Sequence, residues 1–194
     1  VHPTLTDERA HALNSDSIVA AVARSVQEGD FKSGPPKFNA DADDPITIVL
    51  FIREGVCVLG IDTAGRALHK RGWRTNGHPA VLKETLAASM LLLAGYTGDE
   101  PLLDPMCGSG TIVIEAAYIA LHKAPLIHRG KDDFALEHLA GFDRLLWRRV
   151  CDSLRAGKKS ELPAPIYASD LNQKYVDVAR AAARRARVEK YIDF

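Results

Sequence analysis

Two carboxylates carry the chemistry for which this chain can be read. Asp104 opens the run Asp104-Pro105-Met106-Cys107-Gly108-Ser109-Gly110-Thr111, and Asp170 opens Asp170-Leu171-Asn172. Each follows a short apolar segment, Pro101 to Leu103 in the first case and Pro165 to Ser169 in the second. A strand, a glycine-containing loop and a helix start suit a nucleotide-like cofactor, because glycines admit close backbone approach and the helix start offers unpaired N–H groups. An acidic residue at the strand end argues against a phosphate ligand. It could instead hold an ammonium group or, through water, a polar amino-acid moiety. S-adenosylmethionine carries a cationic amine and a sulfonium, so the loop points to a methyl donor more than to a dinucleotide. A carboxylate at the end of the next strand can accept both ribose hydroxyls, which is the role expected of Asp170, with Leu171 and Asn172 flanking adenine and ribose. Plainer readings stay open. Asp104-Pro105 could be a polar turn, and Asp170 could cap the helix that starts near Gln173.

The elements that must position these residues follow from periodicity. Helices are expected over Ser15 to Glu28 (capped at Asn14 or Ser15, stopped by Gly29), Ala80 to Ala94, Ile112 to Leu121, Ala135 to Leu154 and Gln173 to Arg187. Ile46 to Ile52 and Val56 to Ile61 read as a hairpin turning at Arg53-Glu54-Gly55, after a loop rich in Gly, Pro and Asp that runs to Pro45. Tyr191 to Phe194 looks like the start of a further strand. From residue 80 onward helices and strands alternate, which predicts an α/β fold: a parallel sheet with helices on both faces. Ligands of such sheets sit beyond the carboxyl ends of the strands, where both aspartates fall. The front part has another rhythm and reads as the end of a separate α+β module. The expected division is 1–66, a connector over 67–79, and 80–194.

Composition bounds the partners. Of 194 residues, 46% are hydrophobic, enough for a globular core. Lys plus Arg and Asp plus Glu both number 25, so overall charge neither argues for nor excludes nucleic acid. No apolar run is long enough for a membrane span, and the first residues lack the layout of a signal peptide. The chain lacks an initiator Met, which points to a fragment or a processed form. Cys57, Cys107 and Cys151 are widely spaced, which suits no disulfide framework or zinc site and fits a reducing cytoplasm.

Residues 102–117 resemble motif I of the THUMP-associated RNA methyltransferases, a family that also carries the label of N6-adenine-specific DNA methylases and includes bacterial enzymes that make N2-methylguanosine in 23S ribosomal RNA. Leu68 to Arg74 resembles the family's Leu-His-(Lys/Arg)-Arg-Gly-(Tyr/Trp)-Arg signature. His78 to Ala88 resembles motif X, and Ala168 to Asn172 resembles motif II. The likeness implies a Rossmann-like S-adenosylmethionine-dependent methyltransferase sheet, incomplete here, preceded by the C-terminal part of a THUMP-like RNA-binding module. It also implies that Asp104, Pro105, Cys107, Gly108 and Gly110 shape the cofactor pocket, that Asp170 holds the ribose, and that the segment from Pro79 to Glu84 lies beside the methionine end. Glu115 would support motif I from behind, or it is a helix-surface carboxylate. Family members hold the target amine with an Asn-Pro-Pro-(Tyr/Phe) motif. The sole Pro-Pro here, Pro35-Pro36, is not that motif, so the catalytic residues are expected beyond Phe194 and this chain alone is expected not to methylate.

Other clusters are less specific. Arg66, His69, Lys70, Arg71 and Arg74 around Trp73 could grip RNA and stack a base, or form a connector whose arginines pair locally. Arg180, Arg184, Arg185 and Arg187 read as a solvated helix face. Cys107 precedes a helix start that could activate a thiol, but no catalytic partner stands near it in sequence. His122, His128 and His138 lack metal-ligand spacing, so no metal is expected. The partner implied is RNA. N6-adenine methylation of DNA, or a noncatalytic RNA- or cofactor-binding module, are the alternatives.

Overall fold

β-branched runs and helical stripes sort into two units in the computed structural model, which describes residues 2–5, 15–28, 46–53, 56–74, 81–130, 133–139 and 141–194. The first unit gathers described residues of 1–66 with those of 130–142. The second gathers 67–129 with 143–194. The expected Gly/Pro/Asp loop, the Asn14 and Gly29 helix boundaries and the Glu54-Gly55 turn lie outside the described residues, as does Pro79.

In the first unit, β1 (His2–Leu5) pairs parallel with β2 (Thr47–Arg53), and β2 pairs antiparallel with β3 (Val56–Asp62). The hairpin register runs from Thr47 opposite Asp62 to Arg53 opposite Val56. Helix α1 (Ser15–Gln27) matches the helix expected over Ser15 to Glu28. Strand β1 was not anticipated. It is short and contains Pro3, which an edge strand tolerates because its N–H side need not be paired. After β3, Asp62 Oδ1 accepts the N–H groups of Ala64 and Gly65 and turns the chain. The Thr63 carbonyl then accepts the Leu136 N–H at 3.0 Å.

That last bond corrects an expectation. Ala135 to Leu154 is not one helix. Ala135–His138 is a single 3₁₀ turn of the first unit, and a new helix, α4 (Arg144–Ala156), belongs to the second. Gly141 sits at φ +84°, and the Asp143 carboxylate caps α4 by accepting the Leu145 and Leu146 N–H groups at 2.9 Å. A left-handed glycine followed by a capping aspartate ends one element and starts another.

The second unit contains the predicted parallel sheet. β4 (Leu102–Asp104), β5 (Ile166–Ala168) and β6 (Ile192–Asp193) lie in that order, with Leu102, Ile166 and Ile192 in register. Ile166 and Ala168 are buried while Tyr167 between them is exposed, the period of two expected of a strand. Helix α2 (Glu84–Leu93) is shorter than the expected Ala80 to Ala94, and α5 (Gln173–Arg185) ends two residues early. Helix α3 (Thr111–Ala120) is apolar on every side and buried on nearly every side. It packs against α2 and the sheet, and Ala179, Ala182 and Ala183 of α5 are buried in the same core. Gly98, at φ +93°, lies so close to α3 that an added Cβ would meet Ala120 at 2.4 Å. Among the described residues no helix is long and apolar enough to cross a membrane, and no group of His, Cys, Asp and Glu could hold a metal ion.

Candidate functional site

The register of the sheet sets the site. Asp104 pairs with Ala168, so both neighbouring strands release their chains at the same level, and their loops meet. The Ser169 N–H donates to the Asp104 carbonyl, and the Cys107 N–H donates to the Ser169 carbonyl, each at 2.9 Å. The Asp170 carboxylate then ties the two loops together. Oδ2 accepts the Gly108 N–H at 2.9 Å, and Oδ1 accepts the Asn172 N–H at 3.0 Å. Asp104 Oδ1 accepts the Met106 N–H at 3.2 Å. Gly108 and Gly110 lie at φ +50° and +78°, a region open to glycine at little cost.

Both carboxylates line a cleft of about 460 Å³. Pro105, Met106, Cys107, Gly108, Ser109 and Thr111 form its wall from the β4 side. Leu171 lines it from the β5 side, with the Met106 and Leu171 side chains exposed. Leu82, from the segment expected beside the methionine end, also lines it, and two further lining residues were not read from the sequence: Ile112 and Tyr175. Tyr175 precedes the buried Val176 on α5, so helical spacing turns it from the core toward the Asp170 end of the cleft.

Burial raises the Asp104 carboxyl above its usual pKa. The Met106 N–H opposes that rise and the Asp170 charge adds to it. The same surroundings push the Cys107 thiol up to about 11, first through burial and then through Asp104 and Asp170. Cys107 is therefore a neutral wall residue, and the helix-start activation considered for it does not occur.

Several expected site residues take other roles. Asn172 does not line the cleft; its side chain caps α5 by accepting the Lys174 N–H at 3.0 Å. The cap considered for Asp170 thus falls to Asn172. Gly110 serves packing, since a Cβ there would lie 2.9 Å from that of Ala179. Glu84 is 2% exposed and absent from the cleft wall, and Arg74 is bonded to it at 3.1 Å. Glu115 is no surface carboxylate. It is buried and holds Arg71 through two hydrogen bonds.

Those pairings also change the basic cluster. Arg71 and Trp73 are buried, at 7% and 2% exposure, and Arg74 is engaged by Glu84 and by the Leu82 carbonyl. They are packing residues rather than an exposed grip, because carboxylates and apolar neighbours already occupy them. Lys70 is exposed, and His69 is half-buried. Arg66 belongs to the first unit, where it is exposed and lies 3.7 Å from Asp133.

Known proteins are similar to this chain in sequence and fold. Over 168 residues the chain is 38% identical to the ribosomal RNA large subunit methyltransferase K/L of Vibrio parahaemolyticus, covering 84% of this chain and 23% of that protein. The crystal structure of SMU.472 complexed with SAH (S-adenosylhomocysteine) superposes with a TM-score of 0.73 at 31% identity, covering 93% of this chain and 47% of that one. A predicted N6-adenine-specific DNA methylase from Listeria monocytogenes superposes with a TM-score of 0.66 at 29% identity, covering 92% and 44%. The chain thus spans about a quarter of the length of the curated relative and under half of each solved neighbour. Residues 71–194 match the model described as "RMKL-like, methyltransferase domain", and the chain belongs to that family.

Proposed function

We propose that this chain forms the S-adenosylmethionine pocket of an RNA methyltransferase that acts on the exocyclic N2 amine of guanine in ribosomal RNA. The observation that carries the reading is the placement of Asp104 and Asp170 at the ends of adjacent parallel strands, on one cleft. The residues present fit the cofactor. The cleft lies within the ~300–1,000 Å³ span of small-molecule sites. The Asp170 carboxylate accepts the Gly108 and Asn172 N–H groups, and a carboxylate at this place suits the two hydroxyls of a ribose. Asp104 Oδ2 is free of any partner among the described residues and can hold an ammonium group. Met106 and Leu171, exposed at the cleft, offer apolar cover for adenine. When bound, S-adenosylmethionine supplies an electrophilic methyl group. The chain's own part is to bind, orient and exclude water, and orientation alone lowers such barriers substantially.

Support for the cofactor comes from SMU.472, which is known with SAH bound, and support for the substrate comes from the name of the Vibrio relative. The front unit would present the RNA, in the manner of the THUMP-like module that the resemblance implies. The name of the Listeria neighbour favours a second reading, transfer to adenine N6 of DNA.

Calorimetry with S-adenosylhomocysteine tests the pocket. Binding that is lost in Asp104→Ala and Asp170→Ala is expected, and binding unchanged in both variants would remove the site. Transfer of labelled methyl groups by the full protein that carries this chain then tests the substrate. Label in guanine of unmodified 23S ribosomal RNA is expected. Label in DNA adenine alone would establish the second reading, and cofactor binding with no transfer to either would leave a binding module.

A further inference from the structure

A second cavity in the same unit, also about 460 Å³, has no part in the cleft described above. Its wall collects residues at the C-terminal ends of α3, α4 and α5: Lys123 after α3, Arg155 and Lys158 from the end of α4, and Arg185 and Arg187 from the end of α5. Arg71 and His128 add further nitrogen, and no Asp or Glu lines the cavity. In a chain with zero formal net charge, such one-sided lining needs an account.

Helix macrodipoles give part of one. Each helix C-terminus carries about half a negative charge, and cations are favourable there. Lys123 meets this need directly, donating to the Ala186 carbonyl at the end of α5 and lying over the Tyr118 ring. Arg71 is neutralised by Glu115, and Arg155 by Asp152 at 2.9 Å. The remaining cations exceed what the helix ends require. Lys158, Arg185 and Arg187 have no carboxylate partner among the described residues, and all three are exposed. Two of them, Lys158 and Arg187, also act on Lys123. Its ammonium is pushed down to about 8, by burial first and then by Lys158 and Arg187. Arg187 also holds a left-handed backbone, φ +58°, which is uncommon for a residue with a side chain.

We propose that this cavity binds a backbone phosphate of the RNA substrate, through Lys158, Arg185 and Arg187, as a second contact apart from the cofactor cleft. The phosphate chemistry rests on the cavity; the choice of RNA rests on the function proposed above. Trp73 and Tyr118, which also line the cavity, are too buried to stack a base, so the contact grips backbone and reads no sequence. Exposed cations facing a phosphodiester raise affinity through counterion release, and removing them lowers the salt dependence by about one power per cation.

The test compares the chain with Lys158→Glu/Arg185→Glu, two substitutions at exposed positions that leave the core alone. Binding of a 23S ribosomal RNA fragment is followed by fluorescence anisotropy across a salt series, and binding of inorganic pyrophosphate and of S-adenosylhomocysteine by calorimetry. The variant is expected to bind RNA at least about tenfold more weakly and to lose about two from the slope of log affinity against log salt. It should also lose pyrophosphate, and it should keep S-adenosylhomocysteine. Equal RNA affinity and slope in both proteins overturns the proposal, even if pyrophosphate binding falls in the variant. Failure of both proteins to bind S-adenosylhomocysteine counts instead against the proposed function.

Discussion

Arg71 and Glu115 form a two-pronged ion pair across 44 residues of chain, with Nε to Oε1 and the second guanidinium nitrogen to Oε2 both at 3.1 Å and side chains only 7% and 3% exposed. The pair fastens the segment ahead of α2 to the middle of α3, the helix that begins at the cofactor loop. Burial raises the Glu115 carboxyl more than the Arg71 bonds lower it, and the Glu84 charge adds to the rise. The pair is thus held against a desolvation penalty, and breaking one side leaves the other uncompensated. Arg71→Met is expected to cost roughly 3–5 kcal/mol in urea unfolding, and Arg71→Met/Glu115→Met to recover most of that loss. A double-variant loss equal to the sum of the Arg71→Met and Glu115→Met losses would show that the two residues act independently.

This pair also marks a boundary of what the sequence shows. Asp104 and Asp170 could be read because each stands where an apolar run stops and a helix signal follows. The partner of Glu115 could not be read, since it lies far off in the chain and periodicity reports only apolar faces. One signal was available. Glu115 sits in Thr111–Ala120, which has no polar side, and a charge in such a helix is buried and therefore paired. The basic run around Trp73 left an RNA grip and a connector of paired arginines both open for the same reason, because composition records charge and not whether a carboxylate already holds it. The Ala135 to Leu154 helix failed where Gly141 and Asp143 outweighed a leucine pattern that two elements share. Tyr175 enters the cleft through tertiary placement, for which sequence spacing has no marker.

Asp104 makes cofactor binding sensitive to mild acid. Its carboxyl titrates above the ordinary aspartate range because it is partly buried beside Asp170. It must be ionised to hold an ammonium group, so affinity for S-adenosylhomocysteine should decline on acidification from neutral pH earlier than an exposed aspartate would dictate. Folding stability runs the other way for this group. A folded-state pKa above the unfolded one favours the native state at low pH, and that contribution is lost as pH rises through the folded value. Asp104→Asn is expected to bind about ten- to a hundredfold more weakly at neutral pH, the worth of a charge-assisted bond. Its affinity should also be flat across the acid range. A parallel decline in the variant would assign the titration to another group.

Gly110 and Gly98 separate site geometry from packing. Both hold left-handed backbones, and an added Cβ would crowd Ala179 at 2.9 Å and Ala120 at 2.4 Å respectively. Only Gly110 stands at the loop, where its N–H donates to the Cys107 carbonyl at 2.7 Å. Each alanine variant should lose at least about 1–2 kcal/mol of stability from backbone strain alone. At conditions where each remains folded, Gly98→Ala should bind S-adenosylhomocysteine as the parent does, and Gly110→Ala should bind more weakly. Equal affinities would mean that the loop tolerates a shift of α3, and that the cleft does not depend on this contact.

Lys123 gives the second unit a distinctive response to alkali. Its ammonium is pushed down from 10.5 to about 8, so between those values the unfolded chain binds more protons than the native one, and stability rises with pH. Cys107 works in the opposite sense from pH 9, because its thiol is pushed up from 9.0 to about 11 and the unfolded chain ionises first. The interval from pH 8 to 9 therefore isolates the lysine. Lys123→Met also forfeits the bond to the Ala186 carbonyl and the contact with the Tyr118 ring, but below pH 8 that loss is a constant offset. The measurement is the change of urea unfolding free energy across the interval, in parent and variant. The parent is expected to climb and the variant to stay level or fall. If both climb together, the rise belongs to another group, and Lys123 is not depressed as its burial and the charges of Lys158 and Arg187 require.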